Sequence, residues 1–175
     1  MKRLLYILPL LLFIGCDKDK IGPQYLTENE DISAASHKVY LVNEGNFGWG
    51  NGSISVYDPN SGIVNQQVFS TENGFALGDV GQSMTRYNDK FYIVVNNSGK
   101  VEVVDTTSVQ SIGTISGLNS PRYFLGLGNK AYVTDLYADA VSILDLNSNS
   151  VTGQIAFSDW TEHILPVNNS VYVGA

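Results

Sequence analysis

Phe91-Tyr92-Ile93-Val94, Ala131-Tyr132-Val133-Thr134 and Val171-Tyr172-Val173 are three copies of one phrase, with tyrosines 40 residues apart. A fourth copy, Val39-Tyr40-Leu41-Val42, lies 52 residues before the first of them. Self-similarity at a period of roughly 20–50 residues marks a repeat architecture, in which each unit covers the apolar face of its neighbour.

The agreement extends outward from the tyrosines. Asp105 and Asp145 each follow their tyrosine by 13 residues, and Ile115 and Ile155 each follow their aspartate by 10. In the first copy Val68 stands 10 after Asp58, which aligns it with Ile115 and Ile155. That copy is longer by five residues between Tyr40 and Asp58 and by seven between Val68 and Tyr92. Both excesses fall in Gly/Asn-rich stretches and read as loop insertions.

Inside a unit the period is two. Val101-Glu102-Val103-Val104-Asp105, Val141-Ser142-Ile143-Leu144-Asp145 and Ile54-Ser55-Val56-Tyr57-Asp58 share one order, apolar-polar-apolar-apolar or aromatic-Asp. An apolar fourth position suits strands covered on both faces. Turn compositions such as Asp58-Pro59-Asn60-Ser61-Gly62 separate the runs. One unit reads as strands over 122–127, 131–135, 140–146 and 151–157, and no helix is expected beyond the N-terminal leader. Four-stranded units of about 40 residues are β-propeller blades. The fold class is therefore all-β, a propeller; a β-solenoid or an ordinary sandwich is the alternative. The tyrosines are expected to pack between blades, and the aspartates to cap turn amides.

Residues 38–175 amount to 138 positions, about three and a half units, whereas a closed ring takes about four to eight blades. The expectation is an N-terminal part of a propeller, with further units after Ala175.

Residues 1–15 read as a lipoprotein signal peptide. Lys2 and Arg3 precede an apolar run of 11, Leu4–Ile14, far short of a spanning helix. The run ends in Gly15-Cys16, and Cys16 is the one cysteine of the chain. A small residue before cysteine resembles the bacterial lipobox, which implies lipidation of Cys16; Phe13 departs from the usual leucine, and a plain secretory peptide is the alternative. Asp17-Lys18-Asp19-Lys20 resembles the charged signal that exports lipoproteins to the outer face of the outer membrane. Residues 16–37 thus read as lipidated cysteine and tether, anchored to the membrane through lipid alone.

Without residues 1–15 the chain has 8 Lys and Arg against 17 Asp and Glu, a net charge of −9. Nucleic-acid affinity comes largely from phosphate neutralisation, so an acidic chain without a basic cluster excludes that class of partner.

In a four-stranded blade the loop from strand two to strand three opens on the same face as the lead-in to strand one. On this face fall residues 43–51, 96–99 and 135–139, together with Gln82, Arg122 and Glu162, each ten residues before a tyrosine of the repeat. Equivalent positions with unlike chemistry suit a ligand with several distinct edges. The candidate ligand-binding residues are Phe47, Trp49, Gln82, Asn96, Arg122, Tyr137, Trp160 and Glu162. Each has a structural alternative: the aromatic loop folding back onto a blade, Arg122 pairing with an acidic neighbour, Asn96-Asn97 making a turn.

No Gly-x-Ser-x-Gly, P-loop, Cys-x-x-Cys or His-Glu-x-x-His sequence occurs. Of the two histidines, His37 lies in the tether and only His163 is near the face, too few for a metal site of three or four ligands. Neither a catalytic cofactor nor a metal is expected, and a binding protein is favoured over an enzyme.

Tyr132-Val133-Thr134-Asp135 resembles the tyrosine-valine-threonine-asparagine signature of YncE-like propellers, with aspartate in the last place. Asn43-Glu44-Gly45-Asn46-Phe47-Gly48, Leu77-Gly78-Asp79-Val80-Gly81-Gln82, Asn96-Asn97-Ser98-Gly99 and Ser120-Pro121-Arg122-Tyr123, with the Cys16-Asp17-Lys18-Asp19 start, are similar to BtuG-type surface lipoproteins of the Bacteroidota. That resemblance implies seven blades, of which three to four would be present here. It also implies capture of cobalamin or a related corrinoid at the extracellular face of the outer membrane, and its transfer to a TonB-dependent transporter. A protein–protein interaction propeller and a lactonase-like propeller enzyme are the alternatives.

Overall fold

The computed structural model describes residues 37–168 and 170–175. The leader, Cys16 and the tether as far as residue 36 lie outside the described residues.

The first sheet holds β1 (Val39–Asn43), β2 (Ser53–Asp58) and β3 (Ile63–Asn65), followed by a short helix α1 (Val68–Asn73). The second holds β4 (Gly81–Tyr87), β5 (Lys90–Val95), β6 (Lys100–Asp105) and β7 (Ser111–Ser116). The third holds β8 (Pro121–Leu127), β9 (Lys130–Asp135), β10 (Ala140–Asp145) and β11 (Ser150–Ala156). A last pair, β12 (Ile164–Val167) and β13 (Ser170–Val173), forms a two-stranded sheet. Every pairing is antiparallel and joins chain neighbours. The inner strands β4, β8 and β12 lie side by side from sheet to sheet. Meandering four-stranded sheets packed face to face, with their inner strands adjacent, are propeller blades.

The 40-residue period is visible in the register. Tyr92 pairs with Thr85 and Val103, and Tyr132 pairs with Leu125 and Ile143. Tyr172 pairs with Leu165, and Tyr40 with Val56. Because side chains alternate across a strand, β5 feeds two cores. Phe91, Ile93 and Val95 pack towards the first sheet with Ile54 and Phe69. Tyr92 and Val94 pack towards the third sheet with Phe124 and Val133. The Tyr92 ring stacks on Phe124, with centroids 4.3 Å apart and planes at 10°. The aspartates cap turns as expected: Asp58 accepts from the Asn60 amide, Asp105 from Thr107 and Ser108, and Asp145 from Asn147.

Two expectations are corrected in the first sheet. Its last strand is β3, and Val68, aligned in sequence with Ile115, instead starts α1. Ile115 and Ile155 do hold one strand position, opposite Val101 and Val141. The chain leaves β3 through Gln67, in the left-handed region at φ +53°, and the helix buries Phe69 completely between the first two sheets. Asn73 fastens it to the second sheet, donating to Val109 O and accepting from the Ser111 amide. Six residues are less than two turns, too few to print a 3.6-residue pattern on the sequence.

Candidate functional site

The strand two–three loops and the lead-ins to strand one meet on one face, stitched by backbone hydrogen bonds. Gly81 N donates to Glu44 O, Asn96 N to Val80 O, and Thr161 N to Asp135 O. Here the three equivalent positions come together. Arg122 Nη1 donates to Gln82 Oε1 at 2.6 Å. Its Nε and Nη2 donate to the Glu162 carboxylate at 2.8 and 2.7 Å. Gln82, Arg122 and Glu162 thus form one hydrogen-bonded line across three successive sheets.

Local backbone irregularity explains the convergence. In β4 the register slips between Gly81 and Ser83, which leaves Gln82 without an opposite residue. In β8 it slips between Pro121 and Phe124, around Arg122. A bulge turns the extra side chain out of the alternation and re-aims it. Side-chain contacts between inner strands hold the spacing, Ser83 Oγ donating to Arg122 O at 2.7 Å and Thr85 Oγ1 to Phe124 O at 3.3 Å.

Only about a fifth of the Arg122 and Glu162 side chains is exposed, at 22% and 18%. The hydrogen bonds of Glu162 hold the Arg122 guanidinium above its usual range against the opposing effect of burial, with smaller contributions from the charges of Glu162 and Glu44. A paired, planar guanidinium with Gln82 at one end offers donors and acceptors while carrying little net charge.

The aromatic candidates lie on the loops at this end of the sheets. Phe47, Trp49 and Tyr137 are 75%, 77% and 73% exposed, and Trp160 is 42% exposed. The Phe47 and Trp49 side chains do not pack back onto a blade. Tyr137 and Trp160 flank a buried node that the sequence reading missed. Asp135 accepts the Tyr137 amide on one oxygen and the Asn119 and Ser120 amides on the other. The fully buried Thr161 hydroxyl accepts the Asp135 amide and donates towards the Asp135 and Ala140 carbonyls. The aspartate that ends the Tyr-Val-Thr-Asp phrase was the available signal.

Asn96 differs from the others. It is buried, and its side-chain amide donates to Pro121 O at 2.9 Å. It opens the 3-10 turn Asn96–Ser98 and braces the lead-in to Arg122, while its neighbour Asn97 faces Asp79. Tyr123 and His163, next in line after Arg122 and Glu162, have rings 4.7 Å apart. Among the described residues no group of three or more His, Cys, Asp or Glu could hold a metal ion. A cleft of 560 Å³ lies between Lys38, Tyr40, α1 and the Thr107–Val109 turn, at the opposite end of the strands from this face.

Residues 37–174 match the profile of a family described as a domain of unknown function (DUF5074). No curated protein matches the chain. Among solved structures it is similar to AztD from Citrobacter koseri, at 18% identity and a TM-score of 0.53, over 78% of this chain and 35% of that one. It is similar to the computationally designed Ika8 protein, at 11% identity and 0.56, over 81% and 41%. It is also similar to a chain of the nidogen/laminin complex, at 14% and 0.52, over 68% and 43%. At such identities the likeness carries the fold, and the chain spans less than half of each of these three proteins.

Proposed function

The chain belongs to the family described as a domain of unknown function (DUF5074), and on that premise we propose that it is a binding propeller that captures a corrinoid, cobalamin in the first place. The supporting observation is the Gln82–Arg122–Glu162 line, three repeat-equivalent side chains joined on one face, with exposed aromatics on the loops at the same end of the sheets. A corrinoid is a large ring fringed by amides. Phe47, Trp49, Tyr137 and Trp160 offer aromatic surface to such a ring. Gln82 and the paired Arg122 and Glu162 offer amide-matching donors and acceptors without a strong net charge.

In this reading the protein is a binder, not an enzyme. It is held on the extracellular face of the outer membrane through lipid on Cys16, and hands its ligand to a TonB-dependent transporter. Calorimetric titration of the full-length protein with cyanocobalamin tests it: heat at micromolar ligand is expected, and its absence sinks the ligand assignment. Loss of that heat in Trp49→Ala and Arg122→Ala would tie binding to this face; unchanged heat in both would move the site elsewhere.

A second reading draws on the exposure of Phe47, Trp49 and Tyr137, since exposed aromatics are also what protein interfaces use. It makes the face a docking surface for a partner protein with no small molecule. It would survive a silent titration, and then requires those three residues for partner binding.

A further inference from the structure

The loop that carries Phe47 and Trp49 has little stiffness of its own. Gly45, Gly48 and Gly50 sit at φ +78°, +82° and +62°, conformations that glycine enters without steric cost but at a high cost in backbone entropy. Its base is tied to the second blade by Gly52 N donating to Gly78 O at 2.9 Å. Within the loop, Trp49 N donates to Asn46 O, and Asn46 N to Asn51 Oδ1.

The tip depends on a carboxylate from outside the loop. Gly48 N donates to Asp79 Oδ2 at 2.8 Å, and the same oxygen accepts Asn97 Nδ2 at 2.5 Å. The Asp79 amide donates to Ser98 Oγ at 2.9 Å. The other oxygen, Oδ1, is buried without a hydrogen-bond partner among the described residues; the Asn97 side-chain amide, with the Gly48 amide, holds the carboxyl below its usual range.

The backbone beside Asp79 is set with matching care. Val80 takes φ +62° while 4% exposed, a conformation that is an outlier for a β-branched residue and that clusters where the surroundings dictate geometry. Its carbonyl accepts the Asn96 amide at 2.8 Å. A Cβ on Gly78, at φ +132°, would come within 2.6 Å of Ser98 Oγ. This stretch aims Asp79 at the loop and, two residues on from Val80, Gln82 at Arg122.

We infer that Asp79 is the positioning residue of the aromatic loop: its carboxylate pins the Gly48 tip to the Asn97–Ser98 turn, so that Phe47 and Trp49 are presented in one arrangement. The pinning stands on geometry alone; its consequence for affinity rests on the binding reading above. Ordering two large side chains before the ligand arrives removes a cost that binding would otherwise carry.

The test uses the full-length protein with Trp160→Phe and any tryptophan beyond residue 175 also replaced by phenylalanine, so that Trp49 is the sole emitter. Asp79→Ala is expected to lower Trp49 fluorescence anisotropy and increase its quenching by acrylamide, with the far-ultraviolet circular dichroism kept. Should Asp79→Ala fail to fold, Asn97→Ala removes one arm of the same contact and is expected to shift anisotropy in the same direction. Anisotropy unchanged in the folded variant overturns the inference. In the full-length protein with native Trp160, Asp79→Ala is expected to weaken cyanocobalamin binding about tenfold. Full affinity alongside a loosened loop overturns the link to binding. A parent protein that gives no heat with cyanocobalamin refutes the ligand reading instead, and leaves the anisotropy arm to decide the pinning.

Discussion

The Arg122 guanidinium donates to the Glu162 carboxylate through Nε at 2.8 Å and Nη2 at 2.7 Å, across the seam between the third sheet and the β12–β13 pair. Removing either partner leaves the other as a mostly buried charge with unmet hydrogen bonds. Glu162→Ala is therefore expected to destabilise the protein by about 2 kcal/mol, the range for hydrogen bonds to charged groups. Arg122→Ala should cost a similar amount, and the double variant less than the sum by at least about 1 kcal/mol. Urea midpoints of the four proteins measure this; additive losses would mean that the pair is not coupled.

The tyrosine repeat is predicted to act through its rings. Tyr92 is buried between the second and third sheets against Phe124, and burial raises its phenol pKa. Tyr92→Ala should cost about 3–5 kcal/mol, as large-to-small changes of aromatic core residues do. Tyr92→Phe keeps the ring and should cost less than about 1 kcal/mol. Chemical denaturation that showed equal losses for the two would assign the role to the hydroxyl.

The 40-residue spacing carried the sheet order, the strand register and the three equivalent face positions, because each follows from one unit placed beside the next. That Gln82, Arg122 and Glu162 touch needed one further step, the bulges that turn Gln82 and Arg122 out of their strands. A bulge depends on how two strands pair, and a single strand's alternation does not record it. Asn96 and Asn97 show the same limit at one residue's resolution. The 3-10 turn sends the first inward to Pro121 and the second to Asp79. Asp79 itself escaped notice because its partner Gly48 lies 31 residues away, in a loop of the preceding sheet. Helix α1 was hidden for want of length.

Glu102 in β6 is 1% exposed, and Lys100 Nζ meets its carboxylate at 2.7 Å. The Ser111 hydroxyl donates to one of its oxygens, and the Thr114 hydroxyl lies 3.2 Å from both. Removing one member of a buried pair is far more costly than removing both. Glu102→Ala should lose about 3 kcal/mol, and Lys100→Met combined with Glu102→Leu should recover more than half of that. Calorimetric melting temperatures of the two variants decide it; equal losses would show that the hydroxyl bonds, not the charge, set the cost.

Acid stability should reflect the turn aspartates. The Asp105 carboxyl is held below its usual 3.8 first by the Ser108 amide, then by the Ser108 hydroxyl and the Thr107 amide. Asp79 is lowered chiefly by the side-chain amide of Asn97. A carboxyl depressed on folding binds its proton more readily in the unfolded chain. Its stabilising effect is complete above the unfolded value and disappears as pH falls through the folded one. Stability should therefore fall below about pH 4 and continue to fall until these two carboxyls are protonated. Asp105→Asn, which cannot titrate, should start less stable at neutral pH and lose less on acidification. Urea midpoints followed from neutral into acid measure both slopes, and parallel curves would remove Asp105 from the acid response.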